Sequence, residues 1–217
     1  MSEQIMRLRT SRYLFDYWNG IRGGRLAPQR FEIEPSSISE LLPETFILDC
    51  DNASSYRFRL AGTRICEQLG REFRGANLLD FWSADDREAL DSLLNGIVSD
   101  GSVGVVSFEA VADEERSARF EMTLMPLIHS SRSVNRMLGS ITAVEPPYWL
   151  GSVPIHHQFI NQVDVVFPGG QPYFLQDGDI AEAPVFAQGG GYTVAGDSRR
   201  KFRVFEGGRS SNGGSTG

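Results

Sequence analysis

The sequence lacks the segments that export a chain or hold it in a membrane. Its N-terminus, MSEQIMRLRT, has no apolar stretch of the kind a signal peptide needs, and nowhere do about eighteen apolar residues run together. Cysteine is scarce too. Only Cys50 and Cys66 occur, without the C-x-x-C spacing that would indicate a zinc or redox site. We therefore expect a cytoplasmic protein in a reducing compartment.

Positive charge and catalytic motifs are also in short supply. Lys201 is the only lysine among 21 basic residues, a bias that we attribute to a GC-rich genome, and the formal net charge is −7. A general nucleic-acid binder needs a net positive field, so we expect no nucleic-acid partner. No G-x-x-x-x-G-K-[ST] or H-E-x-x-H motif occurs, and no kinase or cyclase domain follows Pro147. We predict that the protein is not an enzyme.

An amphipathic helix is predicted near the N-terminus. Apolar side chains at residues 14, 17, 18 and 21 share one helical face, and two glycines at 23 and 24 end the helix. So short a helix is not stable alone and must pack on the domain or on a second copy of itself. We expect a homodimer through residues 13–21, since Trp18, Tyr17 and Leu14 would otherwise form an exposed apolar patch.

The middle of the chain alternates between strand and helix patterns. A first group of strands is predicted at 46–50 and 56–60, and a second group at 103–111, 119–127 and 137–144. Between the two groups lie short helical pieces over 62–82 and a longer helix that Ser83 caps. Its buried stripe is predicted to consist of Leu90, Leu93, Leu94 and Ile97.

Three regions follow from these patterns. Residues 1–30 hold the N-terminal helix and an arginine-glycine motif, and residues 31–146 form the domain, which we expect to end at Pro146-Pro147. Residues 147–217 read as a largely flexible tail, because glycine is frequent and the chain closes on GGRSSNGGSTG. Within that tail, residues 162–167 could form one further strand.

The order of elements predicts an α+β fold, with a five-stranded antiparallel sheet, helices on one face, and the N-terminal helix in addition. Four segments resemble the helical region of PAS domains: FRLAGT at 58–63, CEQLGRE at 66–72, GANLLDF at 75–81 and DDR at 85–87. A narrower motif, YWNGIRGGRLAPQR at 17–30, resembles the stand-alone PAS family common in alphaproteobacteria.

The resemblance implies a sensory or regulatory module that acts in signal transduction by docking on other signalling proteins. A small ligand in an internal cavity could gate this docking. The alternative is a dedicated sensor of a small metabolite, and an enzyme of unknown type is the third reading. No cofactor is identified. Leu78 stands where a flavin-binding light sensor would carry its reactive cysteine, and no histidine precedes His129 to ligate haem, so neither flavin nor haem is expected, nor a metal.

Two sets of candidate site residues follow. The first should face the space between sheet and helices, as a ligand cavity or simply as core: Phe58, Leu60, Leu69, Phe73, Phe81, Leu94, Phe108, Met122 and Leu124. The second could hold a partner or an anion, or could merely end the helix and pair with acids of the sheet or of a partner subunit: Trp18, Arg22, Gly23, Gly24, Arg25 and Arg30. Cys66 reads as a small core residue, with a redox sensor as the alternative.

Overall fold

A computed structural model describes residues 5–52, 54–130, 133–169 and 201–206. The helices are α1 (Arg9–Arg22), α2 (Thr63–Leu69) and α3 (Ala84–Asp100), and single 3-10 turns lie at Arg30–Glu32, Pro35–Ile38, Leu42–Glu44 and Leu78–Phe81. The strands are β1 (Thr45–Asn52), β2 (Ser55–Ala61), β3 (Val103–Val111), β4 (Ser117–Ile128), β5 (Val134–Val144), β6 (His157–Phe167) and β7 (Lys201–Glu206). Within these residues, no helix is both long and apolar enough to cross a membrane.

All seven strands form one sheet in the order β2-β1-β5-β4-β3-β6-β7. The first six pair antiparallel, and β7 pairs parallel with β6. The α+β class is therefore confirmed, with two strands more than the five predicted. The added strands lie beyond β3, so the five predicted strands keep the contiguous order β2-β1-β5-β4-β3.

The long helix follows its predicted pattern closely. The Ser83 hydroxyl accepts the backbone N–H of Asp86 at 3.3 Å, and Gly101 ends the helix in the left-handed region at φ 70°. A residue with a side chain is strained at that angle, which explains the glycine. The predicted stripe of Leu90, Leu93, Leu94 and Ile97 is buried against the sheet.

Each face of the sheet carries its own apolar core. On one face, which we call the inner face, α2, α3 and the 3-10 turn Leu78–Phe81 cover side chains such as Leu124 and Met137. On the other, the outer face, α1 covers their neighbours Met125 and Leu138. Adjacent residues on a strand point to opposite faces, so strands buried on both faces must be apolar almost throughout.

The sheet continues past Pro146-Pro147, where we placed the end of the domain. Strand β6 pairs with β3 from Val103↔Val166 to Val111↔His157, and Trp149 and Ile155 ahead of it are buried in the inner core. The boundary at residue 146 is thus corrected. The strand predicted at 162–167 is present and begins five residues earlier than predicted, at His157. Residues 170–200 and 207–217, which include most of the predicted flexible tail, lie outside the described residues.

Candidate functional site

The space between the sheet and the covering helices holds most of the predicted cavity residues. All of that set except Leu60 belong to the inner core or pack directly on it. Aromatic rings of the set touch one another, with centroids 5.0 Å apart for Phe58 and Phe73 and 5.1 Å apart for Phe73 and Phe81. Phe46, which was not in the set, joins them at 5.4 Å from Phe58. These separations are ordinary ring-packing distances. Ligand binding by this set stays a prediction.

Strict alternation along β2 predicts that Leu60 faces the inner core. In the structure it does not. Phe58 pairs with Leu48 whereas Leu60 pairs with Ile47, so Arg59 is one residue too many and forms a bulge. The extra residue turns Leu60 toward the outer face, where Ile47 also lies, and leaves its side chain 47% exposed. The bulge therefore removes Leu60 from the candidate cavity.

A second group of rings extends the inner core toward β6. The Trp82 ring meets the Phe108 ring edge-on at 5.2 Å, and Phe108 stacks on Phe120 at 5.1 Å. Gln158 on β6 lies opposite Ala110, on the face where Phe108 and Ala110 join the core. Gln158 therefore lies on the same side of the sheet as Phe108 and Trp82.

Two buried donors in this second group find no acceptor among the described residues. Trp82 and Gln158 are both more than nine-tenths buried, and no hydrogen-bond partner in that part of the chain meets the indole Nε1 of Trp82 or the amide Nε2 of Gln158. An N–H left in this condition costs about 1–3 kcal/mol. The sequence predicted short helical pieces over 62–82, which include Trp82, and a tail that includes Gln158; the pairing of β6 with β3 was the missing information.

The segment before β6 closes this end of the inner core. Trp149 and Ile155 are buried there, and the Arg71 guanidinium donates to the Ile155 carbonyl at 3.1 Å. The same guanidinium lies over the Phe81 ring, 5.0 Å from its centroid. Burial lowers the pKa of Arg71 below its ordinary value. Arg71 thus links the helical insertion, which is the segment of helices between β2 and β3, to the connection that leads into β6.

Cys66 lies on α2, half-buried against the inner core. Burial is the main reason that the pKa of its thiol is raised, and Glu72 and Glu67 add to the shift. A sensor cysteine needs a lowered pKa, because the thiolate is the reactive form. The geometry therefore favours the core role over the redox alternative.

We predict that Cys66 reacts slowly with alkylating reagents. In a Cys50→Ser background near pH 8, iodoacetamide should modify Cys66 in the folded protein several-fold more slowly than in the same protein unfolded in urea, because a raised pKa leaves less thiolate. Mass spectrometry of timed samples gives both rates. Faster modification in the folded protein would restore the sensor reading.

The arginine-glycine motif is used within the chain. Gly23 ends α1 in the left-handed region, and its N–H donates to the Asn19 carbonyl. Arg22 donates to the Asn19 side chain and to the Arg25 carbonyl, and its guanidinium lies 5.6 Å from the Trp18 ring centroid. Gly24 also has a positive φ, of 87°. This part of the motif shapes the exit from the helix.

Arg25 pairs with an acid close by in the chain, Glu32 of the turn Arg30–Glu32, and not with an acid of the sheet. Both of its terminal nitrogens donate to the Glu32 carboxylate, at 3.0 and 2.9 Å. The hydrogen bond holds the pKa of Glu32 below its usual range and raises that of Arg25. Arg22 and Arg25 are therefore engaged locally, which leaves Arg30 as the arginine of the set without such a partner among the described residues.

Trp18 anchors α1 on its own domain. Its ring is fully buried on the outer face, and its Nε1 donates to the Pro126 carbonyl on β4 at 2.8 Å. Leu14 is equally buried, whereas Tyr13 remains 58% exposed. The apolar patch that led us to expect a homodimer is thus covered by the chain itself. The dimer stays a prediction, and this support for it is removed.

The comparison with known families now identifies the domain. The family model described as a PAS domain matches residues 6–142, so the chain belongs to the PAS domain family. PAS domains are sensory modules rather than enzymes, and the chain therefore carries a sensory signalling domain. No curated protein matches the sequence significantly. The narrower likeness to the stand-alone alphaproteobacterial family stays a prediction.

Solved structures resemble the chain only in part. A LOV protein of Rhodobacter sphaeroides has 13% identity, with 48% of this chain and 61% of that one covered and a TM-score of 0.39. An RNA-binding light-oxygen-voltage receptor has 24% identity, with 48% of this chain and 31% of that one covered and a TM-score of 0.35. The PAS domain of an HTR-like protein from Haloarcula marismortui has 20% identity, with 50% of this chain and 91% of that one covered and a TM-score of 0.34. The match spans less than two thirds of the first two proteins, and none of these likenesses carries a functional argument.

Proposed function

We propose that this chain is a sensory and regulatory module that acts through protein-protein contacts and is gated by a small molecule in the inner core. The observation that carries the proposal is a pair of buried donors on the Phe108 side of the sheet, Trp82 Nε1 and Gln158 Nε2, for which the described residues supply no acceptor. A small molecule with a flat apolar body and acceptor atoms would suit this environment, because rings pack on Phe108 and an oxygen satisfies an N–H.

Strand β4 offers a route by which ligand binding in the inner core could change the structure on the outer face. Phe120 and Met122 lie in the inner core, and Glu121 between them points to the outer face, where it is buried. Its carboxylate accepts the backbone N–H groups of Arg7 and Leu8 at 2.9 and 3.2 Å, just before α1 begins. A shift of β4 would therefore move the start of α1, which supports a module whose docking responds to its ligand.

Native mass spectrometry of the full chain tests the gating. We expect a bound small molecule in the wild type, and about tenfold lower occupancy in Trp82→Phe/Gln158→Leu, which keeps apolar bulk but removes both donors. Trp18→Phe is the matched control, because the same indole-to-phenyl change on the outer face should leave the occupancy unchanged.

The contrary result is equally definite. The gating is wrong if the wild type carries no ligand mass, shows no thermal shift across a panel of small metabolites, and gains stability from Trp82→Phe/Gln158→Leu. The two donors would then be defects of a closed core. The remaining hypothesis would be a regulatory adapter that acts without a bound ligand.

A further inference from the structure

Three strands bring two arginines and one acid together on the outer face. Asp49 on β1 lies opposite Arg136 on β5, and the Arg136 Nε donates to the Asp49 carboxylate at 2.7 Å. Arg59, in the bulge of β2, reaches the same carboxylate with its Nη1 at 3.4 Å. Arg136 is mostly buried, whereas the Arg59 side chain is 58% exposed. A single carboxylate therefore serves two guanidinium groups.

Arg30 adds a third positive charge to this group. The connection after α1 runs along the sheet here, since the Ile128 N–H donates to the Pro28 carbonyl at 3.1 Å and Gln29 bridges to Ile128. Arg30 is half-buried, and its guanidinium makes no hydrogen bond or ion pair with any residue that the structure describes. Burial lowers the pKa of Arg30, and the charges of Arg136 and Arg59 lower it further.

Two exposed apolar side chains flank the arginines. Phe31, next to Arg30, is 82% exposed, and Leu60, next to Arg59, is the side chain that the bulge turns outward. We call Arg30, Arg59 and Arg136 with Phe31 and Leu60 the arginine patch. Among the described residues, the ion pairs of this patch involve a single carboxylate, that of Asp49, for three guanidinium groups. Its two apolar side chains are next to Arg30 and Arg59 in the sequence.

We propose that the arginine patch is a docking surface for an acidic segment of a protein partner, with partner carboxylates on the guanidinium groups and a partner apolar side chain on Phe31 or Leu60. Guanidinium forks match carboxylates in shape and charge. The chain as a whole carries a net charge of −7. A local excess of positive charge therefore directs an acidic partner to this place and away from the rest of the surface.

The apolar flanks decide between a protein segment and a free anion. A phosphate or sulfate ion uses guanidinium groups alone, and gains nothing from Phe31 or Leu60. An acidic segment with interspersed apolar residues uses both parts of the patch. The inference rests on the proposed function only in one respect, namely that docking is the output of the module.

Fluorescence anisotropy with a labelled peptide tests the docking. The probe has about twelve residues, with glutamate alternating with leucine and phenylalanine, and the comparison peptide has glutamine in place of glutamate. We expect the acidic peptide to bind the full chain in a salt-sensitive way. Arg30→Gln/Arg59→Gln should weaken binding about tenfold, and Asp49→Asn should strengthen it by removing the competing carboxylate.

Arg74→Gln is the control, since it removes one charge from an exposed arginine of the helical insertion and should leave binding unchanged. Thermal melts followed by circular dichroism show whether each variant is folded, and Arg59→Gln alone replaces the double variant if that one unfolds. Equal binding by the double variant and the wild type, or no preference for the acidic peptide, would overturn the proposal. So would inorganic sulfate that binds as tightly as the peptide.

Failure here can be told apart from failure of the ligand gating. Arg30 and Arg59 lie on the outer face, so their substitution should leave the occupancy of the inner core in native mass spectrometry as it is. Conversely, Trp82→Phe/Gln158→Leu leaves every arginine of the patch in place. If the arginine patch binds the peptide and the chain carries no ligand, the docking proposal holds and the gating proposal is wrong.

Discussion

Replacing Trp18 with alanine should lower the free energy of unfolding by about 3–5 kcal/mol, the range for loss of a large buried aromatic side chain. Trp18 is fully buried between α1 and the outer face, so its removal leaves a cavity in the apolar core on that face. The Pro126 carbonyl also loses its indole donor. Urea unfolding of the full chain, followed by circular dichroism, measures the difference.

Two further variants separate the causes of that loss. Trp18→Phe keeps a ring but removes the hydrogen bond, and should cost about 1–2 kcal/mol. Tyr13→Ala changes an exposed side chain on the same helix and should stay within about 0.5 kcal/mol of the wild type. A Trp18→Ala protein as stable as Tyr13→Ala would mean that α1 does not rest on its own sheet in solution, and would reopen the dimer.

Trp18 shows how far the sequence can lead in such a case. The apolar stripe of α1 is evident from spacing, and so is the need for something to cover it. Spacing does not tell which surface does so, because the outer face of the sheet becomes apolar only when β4 and β5 are paired. Met125 and Leu138 supply that face from positions more than 100 residues after α1.

The bulge at Arg59 is a different kind of difficulty. Residues 56–60 alternate between apolar and charged without a fault, so the pattern predicts one face for Tyr56, Phe58 and Leu60. The register with β1 contains an extra residue, and that register is a property of two strands together. The same bulge turns Leu60 outward, where it belongs to the arginine patch, so the feature that contradicts the cavity prediction also forms part of the proposed docking surface.

The inner core was the most predictable part of the candidate site. Apolar residues in a sheet and in the helices that cover it converge on one layer, and the order of the elements was sufficient to find that layer. Gln158 could not be found in this way. It follows three prolines and two histidines in a stretch that resembles a tail, and it enters the core only because β6 extends the sheet beside β3.

Adding one methyl group at Gly62 should destabilise the protein by about 3 kcal/mol or more. Gly62 stands between β2 and α2, and its N–H donates to the Thr45 carbonyl at 2.8 Å. Its φ of −65° suits alanine, so the backbone angle is not the obstacle. The methyl group of Gly62→Ala would lie well under 3.0 Å from the carbonyl oxygens of Leu42 and Pro43.

Those carbonyl groups are backbone, so the turn at Leu42–Glu44 or the start of α2 would have to move. Gly20→Ala makes the same change within α1, where nothing lies within 4 Å of the new methyl group. It should stabilise the protein by about 0.5–1 kcal/mol, because alanine favours helix. The two variants, compared by urea unfolding, thus have opposite expected signs. A Gly62→Ala protein within about 0.5 kcal/mol of the wild type would show that α2 is not seated against this turn, and that the helical cover of the inner core is looser than its contacts indicate.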